Sequence, residues 1–99
     1  MLTGKQRAQL RALANTEETI LIVGKGGVTD NVLAQARDAL KARELIKGRV
    51  LDASLLTARE AADVLAEKCS AETVQTIGSR FVLYRRNSKK GDKQIQLVK

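Results

Sequence analysis

Apolar and polar positions along the chain form blocks that predict three helices. Apolar side chains recur three and four residues apart, the spacing of one helix face, in three segments that begin at Thr3, at Thr29 or Asp30, and at Thr57. Each of these residue types can cap a helix start, and Thr57 opens the capping-box pattern Thr-Ala-Arg-Glu. The predicted helices run to about residues 14, 43 and 70.

Short apolar runs rich in β-branched residues lie between these segments and predict strands at 19–23, 44–51, 73–77 and 80–85. The two-residue connection Gly78-Ser79 favours a tight antiparallel hairpin, whereas strands joined through helices favour parallel pairing. Residues 1–86 are therefore predicted to form an α/β (α+β two-layer) fold with the order α-β-α-β-α-β-β and a four-stranded mixed sheet. Residues 87–99 are predicted to be a basic tail with a short last strand at 95–98.

The charge of the chain predicts an anionic partner, which the pattern of helices and strands alone does not. The 99 residues contain 18 Lys and Arg against 11 Asp and Glu, a net charge of +7. Residues 80–99 contribute much of the excess, whereas the third predicted helix is acidic. Basic residues one helical turn apart also border the apolar faces of the first two helices: Arg7 and Arg11, then Arg37 and Lys41. These borders predict a shared basic patch.

Missing residue types exclude several function classes. The chain has no histidine, so His-dependent catalysis and His-ligated metals are excluded, and its single Cys69 cannot form an intrachain disulfide. Cys69 and Tyr84 are expected in the core. With two aromatic residues, base-stacking RNA modules are disfavoured. Because neither a signal segment nor a membrane-length apolar run is visible, we expect a cytoplasmic protein with no membrane partner and no cofactor.

A glycine-rich loop, Gly24-Lys25-Gly26-Gly27, connects the first predicted strand to the second helix. Glycines let a phosphate approach the backbone, and a helix N-terminus offers unsatisfied N–H groups. The spacing matches neither the Walker A loop nor the dinucleotide fingerprint. It is G-x-x-G, as in the loop with which KH domains clamp a nucleic-acid backbone. A plain strand-to-helix turn is the alternative interpretation.

Four segments of the chain, taken in order, resemble the CRM domain (chloroplast RNA splicing and ribosome maturation) in its stand-alone bacterial, YhbY-type form. They are Leu2–Arg7, Val23–Val32, Ala42–Lys47, and Val74–Gly78 with Val82–Arg85. The resemblance covers residues 2–86, although Arg86 stands where the family usually has a proline. It implies a fold like the C-terminal domain of translation initiation factor three with an added N-terminal helix. It also implies an RNA-backbone contact at Gly24–Gly27 and a link to precursors of the large ribosomal subunit.

These observations predict a non-catalytic, monomeric protein that binds structured RNA and acts in assembly of the large ribosomal subunit. The expected partner is ribosomal RNA of the large-subunit precursor, with ribosomal proteins as further candidates. The candidate RNA-binding residues are Gly24, Lys25, Gly26, Gly27, Val28, Arg7, Arg11, Arg37, Lys41, Arg85 and Arg86. An alternative is an adaptor whose acidic third helix docks a basic ribosomal protein. A metal-dependent enzyme is disfavoured, because Asp30 and Asp38 lack a third carboxylate in an evident constellation.

Overall fold

The computed structural model describes residues 2–86 and 97–98 and contains three helices and four strands within them. The elements are α1 (Gly4–Ala14), β1 (Thr19–Val23), α2 (Asp30–Arg43), β2 (Leu45–Val50), α3 (Ala58–Cys69), β3 (Glu72–Ile77) and β4 (Arg80–Tyr84). This order confirms the predicted one, with bounds that differ by about one residue. The predicted strand at 95–98 lies partly outside the described residues, and residues 97–98 are not in a strand.

The four strands form one mixed sheet in the order β1-β2-β4-β3. Strand β1 runs parallel to β2 because α2 carries the chain back across the sheet, and β4 pairs antiparallel with both β2 and β3. The β3–β4 connection is a two-residue turn in which Gly78 has φ +57°. Only a residue without Cβ adopts this angle easily, which explains why glycine begins the turn.

Threonine caps all three helices. The side chains of Thr3, Thr29 and Thr57 accept the backbone N–H three residues on, at 3.1, 3.2 and 3.1 Å. Helix α2 is therefore capped by Thr29 and not by Asp30. Such a cap typically stabilises a helix by about 1 kcal/mol. The longest helix has 14 residues, and none within the described ranges is long and apolar enough to cross a membrane.

Two hydrophobic clusters fill the two faces of the sheet. The larger cluster joins α2 and α3 to strand residues such as Leu21, Ile46 and Phe81, and it contains the buried Cys69. The smaller cluster joins α1 to the opposite face and contains the buried Tyr84. Cys69 and Tyr84 are thus core residues, as predicted. The fold class is confirmed, and α1 adds a partial layer on the second face.

Packing of the larger cluster requires glycine at position 48 in β2. A Cβ at this position would overlap the ring of Phe81 on the neighbouring strand β4. The β1–β2 pairing next to Gly48 is irregular, but the extra residue lies in β1, between Thr19 and Leu21, opposite residues 47–48. Glycine is therefore needed because an aromatic ring lies directly on the strand.

Residues 97–98 are held against α1. Leu97 packs on the smaller cluster. The Val98 N–H donates to Oε1 of Gln9 at 2.8 Å, and Nε2 of Gln6 donates to the Val98 carbonyl at 2.9 Å. These contacts fasten residues 97–98 to the first helix and extend the smaller cluster.

Candidate nucleic-acid interface

Three connections meet at one edge of the sheet, which we call the loop edge: residues 24–29, 51–57 and 78–79. They meet because parallel β1 and β2 end on the same side, where the β3–β4 hairpin also turns. Two backbone hydrogen bonds hold them together. The Leu51 N–H donates to the Val23 carbonyl at 2.9 Å, and the Val50 N–H donates to the Ser79 carbonyl at 2.7 Å.

The glycine loop forms a closed turn with Lys25 exposed at its tip. The Gly27 N–H donates to the Gly24 carbonyl at 3.0 Å, and the Thr29 N–H donates to the Gly27 carbonyl at 3.1 Å. Gly27 has φ +70°, which favours glycine. The N–H of Gly27 is therefore used inside the turn, and the contact of Gly27 with RNA stays a prediction. Gly26 and Val28 have amides with no acceptor among the described residues.

Two of the predicted arginines instead bind backbone carbonyls of their own chain. Nη1 of Arg7 donates to the carbonyl of Thr73 at 2.6 Å, which fastens α1 to β3. Nη1 of Arg85 donates to the carbonyl of Cys69 at 3.3 Å, at the C-terminus of α3. Both arginines are half-buried. These contacts hold elements together, since they satisfy otherwise unpaired carbonyls at partly buried positions.

The other predicted basic residues do not gather at the loop. Arg37 and Lys41 are exposed on α2, about 10 and 16 Å along the helix from its first residue at a rise of ~1.5 Å per residue. Arg11 lies on α1, across the sheet from α2. Arg86 follows β4, which ends at the edge opposite the glycine loop. The predicted site residues are therefore distributed over several parts of the surface.

A second cationic surface lies on the sheet face that α1 leaves partly uncovered. Lys47 and Arg49 of β2 and Arg80 of β4 point to this face. Together with the last turn of α1, the face forms a groove of about 190 Å³, which we call the sheet-face groove. It is lined by Arg11, Ala14, Asn15, Lys47, Gln75, Ile77, Arg80, Phe81 and Val82.

Part of this cationic surface could have been predicted from the sequence. In β2, Lys47 and Arg49 alternate with buried residues, so they had to share one face of the strand. Arg80 joins them only through the antiparallel register, in which Arg49 lies directly opposite it. That register links positions about thirty residues apart, and no local pattern shows it. Nζ of Lys47 also donates to the Ala14 carbonyl at 3.4 Å, which fixes the end of α1 over the groove.

Burial favours the neutral form of two ionisable core residues, Cys69 and Tyr84. Burial raises the pKa of the Cys69 thiol, and the positive charges of Arg37 and Arg85 oppose this only in part. The thiol therefore stays protonated near neutral pH. Burial also raises the pKa of Tyr84, with a further contribution from Glu44. Within the described ranges no three His, Cys, Asp or Glu side chains are grouped so that they could hold a metal ion.

Comparison with known proteins places the chain in a family. Residues 2–85 match the CRS1/YhbY (CRM) domain. The chain is a CRM domain. This confirms the resemblance predicted from its sequence segments, while the likeness to translation initiation factor three stays a prediction.

Several bacterial relatives of this CRM domain are small proteins of similar length. The probable RNA-binding protein YqeI of Bacillus subtilis is 45% identical over 97 residues, which are 98% of this chain and 99% of YqeI. An RNA-binding protein of Haemophilus influenzae is 37% identical over 84 residues, 85% of each chain. The solution structure of SAV1595 from Staphylococcus aureus, described as a candidate RNA-binding protein, matches with a TM-score of 0.80 and 44% identity. That match covers 99% of this chain and 100% of SAV1595.

Proposed function

We propose that this CRM domain is a non-catalytic RNA-binding protein whose loop edge contacts the phosphate backbone of structured RNA. The observation that carries the proposal is the glycine loop. It exposes Lys25 next to Gly26 in the chain, just before α2, and the amides of Gly26 and Val28 have no acceptor among the described residues. Backbone amides at a helix start and a lysine together suit a phosphate.

The overall charge and the relatives support the same partner. A net charge of +7 attracts a polyanion, and two relatives that span most of this chain are named as RNA-binding proteins. Both aromatic rings are buried, so recognition of the backbone and of RNA shape is favoured over base stacking. The target that fits best is ribosomal RNA of the large-subunit precursor, bound in the cytoplasm by a monomer during ribosome assembly.

The salt dependence of affinity tests the proposal. If about six phosphates are neutralised, the logarithm of the binding constant for large-subunit RNA should fall against log salt with a slope of magnitude roughly 4–5. Lys25→Ala should weaken binding and lower that slope by about one. Lys68→Ala, at an exposed position of α3, is the matched control and should change neither. A flat salt dependence would contradict binding to the RNA backbone, and unchanged binding by Lys25→Ala would remove the loop from the site.

The adaptor function is a second candidate because α3 exposes Glu60, Asp63 and Glu67 on its outer side. These carboxylates suit a basic ribosomal protein rather than RNA. Pull-down after nuclease treatment separates the two functions. A protein partner retained without RNA would support the adaptor, and loss of all partners would support direct RNA binding.

A further inference from the structure

Two like charges lie side by side at the rim of the sheet-face groove, because Arg80 lines the groove and Arg49 is its cross-strand neighbour on β2. Arg49 and Arg80 are directly opposite each other in the β2–β4 register, an arrangement that destabilises a sheet. Neither side chain forms an ion pair or a hydrogen bond within the described residues, and the groove lining contains no carboxylate. Asp52 lies near Arg49 at the loop edge without pairing with it. A bound anion would offset the repulsion between Arg49 and Arg80.

Exposed isoleucines flank this arginine pair in the same cross-strand row. Ile22 is opposite Arg49 and is 50% exposed, and Ile77 is opposite Arg80 and is 64% exposed. At a strand spacing of about 4.8 Å, the four-residue row spans roughly 14 Å. A ligand that covers the row must therefore present negative charge at its centre and apolar surface on both sides.

An unpaired RNA strand has this chemistry and a duplex does not. Its phosphates can lie on the arginines while its unstacked bases contact aliphatic side chains, whereas a duplex keeps its bases stacked inside. The groove also has a volume of only about 190 Å³ and a polar amide, Gln75, in its lining. The row begins next to the loop edge, since Ile22 stands two residues before Gly24 and Arg80 directly follows the hairpin turn.

We propose that the sheet-face groove, together with Arg49, binds an unpaired RNA strand that continues from the structured segment held at the loop edge. The proposal rests on the proposed function and adds a class of ligand to it. The preferred RNA is then a stem with a single-stranded extension. Arg49 and Arg80 supply the phosphate contacts, and Ile22 and Ile77 contact bases.

Two RNA probes test this proposal: a blunt hairpin, and the same hairpin with an oligouridine extension at one end or the other. Wild type should bind one of the extended forms about tenfold or more tightly than the blunt form. The double variant Arg49→Gln/Arg80→Gln should lose this gain, with a salt slope smaller by about 1.4 on the extended hairpin, at about 0.7 per single-strand phosphate. Lys25→Ala should weaken binding to both probes.

The control variant is Arg59→Gln/Lys68→Gln, which removes the same charge from exposed positions on α3 and should keep the gain. Thermal unfolding of each variant verifies folding. An extension that adds no affinity in wild type, or a double variant that weakens both probes equally, would overturn the groove proposal. If Lys25→Ala still weakened both probes, the proposed function would stand without it. If wild type bound neither hairpin, the proposed function itself would fail.

Discussion

Replacement of Arg80 by glutamate should stabilise the protein while it weakens RNA binding. In the native sheet Arg80 lies opposite Arg49, so the change replaces a like-charge pair with an opposite-charge pair at the same two positions. Two unit charges about 6 Å apart in water interact by roughly 0.7 kcal/mol, so the reversal of sign is worth about 1 kcal/mol after screening. For a domain of this size, about 1 kcal/mol raises the midpoint of thermal unfolding by ~4–8 °C.

Thermal unfolding followed by circular dichroism, at low salt and at about 1 M salt, measures this effect. The gain should be present at low salt and largely absent at high salt. Arg59→Glu is the control because it lowers the net charge equally, from +7 to +5, but places a like charge four residues before Asp63, its present partner at 3.9 Å. It should leave stability unchanged or lower it. If Arg80→Glu lost stability at low salt, the two arginines would not repel each other and the reasoning would be refuted.

Three further substitutions test the packing that supports the interface. Gly48→Ala should cost about 1–3 kcal/mol or more in urea unfolding, because the new Cβ would overlap the ring of Phe81. Leu97→Ala should cost about 1 kcal/mol in the same assay, because the end of the chain would lose its packing on α1. Tyr84→Phe should be close to neutral at pH 7, since its buried hydroxyl has no partner among the described residues. Burial raises the pKa of folded Tyr84, so the unfolded chain ionises first at this residue. Wild type should therefore lose more stability than Tyr84→Phe as pH rises above about 10, whereas the loss caused by the buried Cys69 thiol is common to both.

For each of these substitutions, one result would contradict the expected effect. Gly4→Ala is the matched control for Gly48→Ala, because a Cβ at Gly4 would have open space around it. Equal effects at both positions would show that the Phe81 ring does not decide the first. Unchanged stability in Leu97→Ala would contradict the docking of the chain end. A loss of more than about 1 kcal/mol in Tyr84→Phe at pH 7 would show that the hydroxyl is hydrogen-bonded.

Local patterns were enough to predict the secondary structure. The cap of a helix, its apolar face and a two-residue hairpin each depend on a few neighbouring residues. The caps Thr3 and Thr57 and the Gly78-Ser79 turn therefore appear where the sequence predicts them, and Thr29 is one of the two caps that the sequence offered for α2. The glycine loop is also local, and its place between β1 and α2 was predicted from the same kind of pattern.

The candidate site could be predicted only in part because its remaining residues meet through tertiary pairing. Helical periodicity places Arg7 at the border of an apolar face, but it does not show that the carbonyl of Thr73 lies within reach. The strand pattern likewise shows that Arg49 and Arg80 are polar, but their pairing depends on register. Gly48 is a similar case, since its need for glycine comes from a ring on another strand.

Amide chemical-shift mapping by NMR, with an RNA hairpin that has a single-stranded extension added to the labelled protein, tests the central claim most directly. We expect the amide signals of Gly26 and Val28 to move first and farthest, together with those of Arg49 and Arg80. The outer residues of α3 from Arg59 to Glu67 should stay unchanged. Shifts confined to α3, or the absence of any shift at the loop edge, would contradict the claim that this CRM domain binds RNA through its glycine loop.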